Sequence, residues 1–178
     1  MTIRRATRVA CLLTVFAGRA AGAAPGGAIA SVYTDVAEAK CRTVEESEGY
    51  LNQLCPGVGG YALRLIDGDQ LQVFVVRADK REYQLSYEGG FGQRGAAKAE
   101  WRVRQVGTTK QPLALIFRVK AADLATPYPH KTISQLVVAK ITADRSCTTN
   151  LILPGPRQNE RARQAADRAE GAACLHLP

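Results

Sequence analysis

The sequence predicts a mainly β (α+β) fold: an antiparallel sheet, curled or barrel-like, with one C-terminal helix and two disulfides. Three observations predict it. Apolar residues alternate at period two along most of the chain, as in Tyr61-Ala62-Leu63-Arg64-Leu65-Ile66 and Glu100-Trp101-Arg102-Val103-Arg104-Gln105-Val106. Successive side chains of a strand point to opposite faces, so this pattern marks strands with one buried face. A helical period appears near the end, where Ala162, Ala165, Ala166 and Ala169 recur at i, i+3, i+4 and i+7. Beyond the first 23 residues the chain holds an even set of cysteines: Cys41, Cys55, Cys147 and Cys174. Such a set pairs in an oxidising compartment.

Residues 1–23 read as a signal peptide. Arg4, Arg5 and Arg8 precede the apolar run Val9 to Ala17, and Ala21-Gly22-Ala23 supplies small residues for cleavage. The run is too short to span a bilayer, and no longer apolar run follows, so no transmembrane segment is expected after signal removal. Localisation is then periplasmic or secreted. The segment's four charges, including Arg19, are all arginines, so its loss lowers the net charge from +8 to +4, twenty cations against sixteen acids. That modest excess argues against nucleic acid as a partner. Residues 24–30 form a flexible Ala/Pro/Gly leader, and residues 31–178, with about 150 positions, suit a single domain.

The elements follow in order. Residues 31–34 are a short strand, and 35–40 a turn or one helical turn. Residues 42–45 and 50–54 form a hairpin around Glu48-Gly49. Four cysteines permit three pairings; the most local, Cys41–Cys55 with Cys147–Cys174, is favoured. Closing the first ring stabilises the fold by about 3 kcal/mol on the chain-entropy estimate. Pro56-Gly57-Val58-Gly59-Gly60 is a corner. Strand 61–66 is predicted to turn tightly at Asp67-Gly68 and return over 70–77. There Leu71, Val73 and Val75 share one face while Phe74 and Val76 add apolar surface to the other, as in a strand covered on both sides. Residues 82–87 are a further strand, 89–97 a loop, and 100–106 a strand with Trp101 and Val103 inward. A turn at 107–110 leads into strand 112–119. Pro127 and Pro129 make 121–131 irregular, and 132–141 and 146–153 complete the strands. Pro154-Gly155-Pro156 breaks the last one before a helix over 158–171, where Arg163 and Asp167 are spaced to pair along the exposed side.

Candidate chemistry is sparse. Gly90-Phe91-Gly92-Gln93-Arg94-Gly95 fits a dinucleotide fingerprint by letter, yet a strand rather than a helix follows it, so it reads as a hairpin loop and no cofactor is expected. His130 and His176 have no partner at ligand spacing, so no metal is expected. No Gly-x-Ser-x-Gly elbow occurs, and no catalytic residue is assigned. Glu45, Glu46 and Glu48, with Asp67 or Asp69, are the one carboxylate set available to an envelope hydrolase; an exposed turn explains them more simply. Arg102, Arg104, Arg118 and Lys120 alternate with apolar residues and predict a basic stripe on the sheet. With Tyr61 and Trp101 they form the candidate binding surface, for an anionic envelope component or an acidic protein.

The elements carrying Cys41, Cys55-Pro56-Gly57-x-Gly59-Gly60-Tyr61, Asp67-Gly68-Asp69, Trp101-Arg102 and the Ala-Arg-Gln-Ala-Ala-Asp helix before Cys174 come in an order that resembles a family. It is that of uncharacterised small exported proteins of Gram-negative bacteria. The resemblance covers residues 31–175; its motifs are structural and imply no activity. A looser likeness is to periplasmic lysozyme inhibitors, also small, disulfide-bonded and β-rich. Their loop signature has a serine and glycine ahead of a tyrosine, and Gly59-Gly60-Tyr61 lacks the serine. The expected function is a non-catalytic periplasmic binding or inhibitor module, with a hydrolase or a structural envelope protein as alternatives.

Overall fold

The computed structural model describes residues 27–85 and 92–175. The signal peptide expected over residues 1–23, the start of the glycine motif and His176 lie outside them.

Among the described residues eleven strands form two antiparallel sheets. Strands β2 (Arg42–Ser47), β3 (Tyr50–Pro56), β4 (Ala62–Asp67), β5 (Gln72–Val76) and β6 (Glu82–Leu85) make a meander in chain order. The second sheet runs β1 (Ile29–Asp35), β8 (Lys98–Val106), β9 (Thr109–Ala122), β10 (Thr132–Ile141), β11 (Ser146–Ile152), with β7 (Gln93–Arg94) also on β9. The sheets share one core. Leu63, Leu65, Val73 and Val75 come from the meander; Trp101, Leu115, Phe117 and Val119 come from the second sheet. Trp101 is fully buried, and its indole N–H donates to Thr34 Oγ1 at 2.9 Å, so the one polar atom of the ring is satisfied.

The barrel-like alternative is corrected by this topology. After β1 the chain crosses through a 3₁₀ turn (Glu38–Lys40) to start the meander, and β1 finds its partner in the distant β8. The sheets therefore stack without closing on each other. Arg94 of β7 links them: its guanidinium donates to Asp67 Oδ2 at 2.9 Å, Gln53 Oε1 at 2.7 Å and the Val36 carbonyl at 2.9 Å. At the opposite corner Gly59 (φ +62) packs so closely that a Cβ would meet the Lys110 carbonyl at 2.6 Å and Pro112 at 2.7 Å.

Both disulfides take the local pairing. Cys41–Cys55 closes the open end of the β2–β3 hairpin, and Cys147–Cys174 ties the chain end to β11. Three expectations change. Asp67 stays in β4 and pairing resumes at Ile66↔Gln72, so the connection is a wider loop rather than a two-residue turn. The extra length tucks Leu71 into the core, where it is 3 % exposed. The outer side of β5 is shielded chiefly by Arg64, whose guanidinium sits 5.3 Å from the Phe74 ring centroid, because the helix packs on the other sheet. That helix, α1, covers Gln158–Ala166 and is followed by a separate 3₁₀ turn (Ala169–Gly171). Arg168 (φ −108, ψ 1) breaks the pitch between them. Ala162, Ala166 and Ala169 are buried against Ala114, Ile116, Leu136 and Val138. Such small side chains let the helix axis lie close to the sheet.

Candidate functional site

The helix lies across the basic face predicted from the sequence. Cross-strand register puts Ser31 beside Arg102, and Tyr33 beside Glu100, which in turn faces Ile116. Arg102 points up at the helix: its Nε donates to Asp167 Oδ1 at 2.6 Å, its Nη2 to Asp167 Oδ2 at 3.0 Å, and its Nη1 to Ser31 Oγ. Arg163 comes down from α1 to Glu100, with Nε donating to Oε1 at 2.7 Å and Nη2 to Oε2 at 3.2 Å; Nη2 also donates to the Tyr33 hydroxyl at 2.9 Å. The expected Arg163–Asp167 pair along the helix is therefore replaced by two pairs between helix and sheet. The sheet partners Arg102 and Glu100 are each only 11 % exposed, so water screens their pairs with the helix less than it would an exposed pair along it.

Burial is the largest influence on Glu100 and pushes its carboxyl up. Hydrogen bonds from Arg163 and Ser31, with the charge of Arg163, outweigh it and leave the group below its ordinary value. Arg163 in turn holds its proton more firmly, because the Glu100 bond outweighs its own burial.

Beside these pairs a cleft of about 260 Å³ opens between the sheet and α1. Ile116 and Leu136 give it an apolar lining, and Tyr33, Lys98, Arg118 and Arg163 stand around it with Asn159 from the helix. Among the described residues Glu100 is the only carboxylate lining it, and it is taken up by Arg163. Arg118 differs from the other arginines here. Its Nη1 donates to Ser134 Oγ at 2.9 Å and Gln158 Oε1 at 3.0 Å, and its Nη2 to Asn159 Oδ1 at 2.9 Å. All three partners are neutral, and among the described residues no carboxylate lies in ion-pairing reach of it. Lys98 is mostly exposed and 3.6 Å from Asp35 Oδ1, a pairing that water largely screens. The cleft thus holds one fixed, uncompensated guanidinium with an exposed ammonium beside it, an arrangement that receives an anion.

No protein-family model, curated protein or solved structure matches this chain. The side chains alone therefore carry the functional reading.

The six residues of the predicted surface are not one surface. Trp101 is in the core, on the opposite face of its strand from Arg102. Arg102 is buried beneath the helix, and Arg104 lies 3.6 Å from Glu170. Tyr61 sits at the junction of the sheets, where its hydroxyl donates to the Thr142 carbonyl at 3.5 Å, near Arg77 and Lys110. Lys120 is exposed in register with Ser134, and Arg118 alone lines the cleft. The sequence reading missed Tyr33, Lys98, Asn159 and Arg163. Their positions depend on β1–β8 pairing and helix docking, which leave no local pattern. Glu45 and Glu46 lie on the exposed edge strand β2, with Glu48 in its turn; Asp67 is engaged by Arg94. No group of three or more His, Cys, Asp or Glu able to hold a metal ion occurs among the described residues, and no helix there is long and apolar enough to cross a membrane.

Proposed function

We propose that this chain is an exported, non-catalytic binding module, of the inhibitor or ligand-capturing kind, that grips an anionic group of an envelope component or acidic protein. The observation that carries the reading is Arg118, a guanidinium immobilised by three neutral acceptors in a cleft that leaves its charge unanswered. The cleft is smaller than the roughly 300–1,000 Å³ of sites that enclose a whole small molecule. It suits a phosphate or carboxylate projecting from something larger. Glycoside hydrolysis needs two carboxylates across one cleft, and among the described residues Glu100 is the one that lines this cleft.

The two disulfides support an oxidising location, periplasmic or secreted, with residues 1–23 as the signal. Kinship with small exported Gram-negative proteins belongs to the same reading. The test is equilibrium binding of the mature chain to phosphorylated lipopolysaccharide and to an acidic peptide, at low salt and near 0.3 M, where screening shortens to about half its low-salt reach. At least one probe binds at low salt and weakens as salt rises. Arg118→Gln lowers that affinity about tenfold, or ~1.4 kcal/mol. Absence of binding to both probes, or full affinity in the variant, overturns the proposal.

A further inference from the structure

A second, chemically different site lies on the outer face of the meander, on the other sheet from the anion cleft. A groove of about 650 Å³ is lined by Tyr50, Ile66, Gly68, Asp69, Gln70, Gln72 and Gln84. Register explains the convergence. Ile66 pairs with Gln72, and Gln84 pairs with Phe74 one row away, all facing outward because their neighbours Leu65, Val73 and Leu85 fill the core. Gly68 has no side chain there, which leaves the groove open beside Tyr50 and Gln70.

We infer that this groove binds a neutral oligosaccharide. Among the described residues its lining contains no cation and one carboxylate, which does not suit a phosphate. It is within the roughly 300–1,000 Å³ of small-ligand sites. It gathers three exposed glutamine amides, each presenting donors and an acceptor side by side, the pattern that vicinal sugar hydroxyls complement. Among the described residues no side chain takes up these amides. Asp69 adds a charged acceptor for hydroxyl donors. Tyr50 and Ile66 supply the apolar surface on which the C–H face of a pyranose rests. An apolar protein partner would leave three amides and a carboxylate desolvated without partners, at a cost of about 1–3 kcal/mol each. A glycan satisfies them.

Gly68 also provides a clean way to close the groove. Its backbone is not in the left-handed region, and a Cβ there meets nothing nearer than the Gly49 carbonyl at 4.0 Å. Gly68→Trp therefore sets a bulky ring among the lining residues with no close contact at its Cβ. The experiment titrates the mature chain with chitotetraose and with maltotetraose, followed by backbone amide shifts and calorimetry. At least one sugar binds with a Kd below about 1 mM, shifting the amides of Tyr50, Gln72 and Gln84. Gln72→Ala weakens it about tenfold, or ~1.4 kcal/mol, and Gly68→Trp abolishes it while the far-ultraviolet spectrum is unchanged. Salt up to about 0.3 M changes the affinity less than twofold, unlike a ligand of the cationic cleft. Failure of both sugars to bind at about 10 mM overturns the inference, as does binding that survives Gly68→Trp or shifts residues of the other sheet instead. Neither result bears on the anion cleft, whose probes are charged.

Discussion

Replacing Arg102 by Met tests how the helix is held. Two charge-assisted bonds to Asp167, at 2.6 and 3.0 Å, disappear together with the bond to Ser31. Arg102 has only 11 % of its side chain exposed, whereas Asp167 keeps 35 %. The aspartate left behind can rehydrate, so the loss resembles charge-assisted hydrogen bonds more than an orphaned interior charge, about 2–3 kcal/mol. Asp167→Asn is milder, about 1–2 kcal/mol, because Glu100 still lies 3.8 Å from the guanidinium. The pair then has a coupling energy of about 1 kcal/mol after allowing for solvent on the aspartate side. Urea unfolding at neutral pH of the parent, both single variants and the double variant yields that number directly. For a domain of this size the arginine change also lowers Tm by about 4–10 °C. A coupling below about 0.3 kcal/mol would refute the idea that this pair fastens the helix to the sheet.

Other perturbations follow from the same framework. Glu100 is held below its ordinary carboxyl value, so its contribution is fully present above the unfolded pKa near 4.5 and is lost as pH falls through the lower folded value. Thermal melts between neutrality and about pH 3 should therefore show an acid-side loss that Glu100→Gln flattens; an unchanged acid limb contradicts the assignment. Replacing Cys147 and Cys174 by serine removes a ring of 27-residue separation and lowers stability by about 3–4 kcal/mol, somewhat more than opening Cys41–Cys55, as measured by urea midpoints. Ala166→Leu forces a larger side chain between α1 and the sheet and destabilises by about 1–3 kcal/mol, while the same change at exposed Gln164 is neutral within ~0.5 kcal/mol.

What the sequence disclosed follows the range of the forces involved. Alternation at Tyr61–Ile66 and Glu100–Val106 is a local pattern enforced by one buried face, and it marks β4 within one residue and β8 within two. The alanine stripe located α1 for the same reason, though not the break at Arg168, because alanine and arginine continue a helix as readily as they end one. Pairing across distance left no such trace. Nothing local says that Ile29–Asp35 will lie against Lys98–Val106, so the division into two sheets was not legible, nor was the company of Tyr33 with Arg163. The basic alternation did identify a face bearing Arg102 and Arg118. It could not say that a helix would cover it, turning Arg102 into a fastening and leaving Arg118 as the unanswered charge.

The order in which the cysteines pair has a consequence for how the chain matures. Because Cys41 joins Cys55 and Cys147 joins Cys174, each bond links neighbours in sequence. A polypeptide emerging amino end first, and freed of the expected signal with its Cys11, presents these four cysteines in that same order, so an oxidant that joins each new thiol to the previous free one makes both native bonds without later exchange. The first ring closes while most of the second sheet is still unmade. The second forms only after Cys174 arrives, so the last covalent act secures the segment beyond α1. Consecutive pairing of these four cysteines therefore places no demand on a disulfide isomerase.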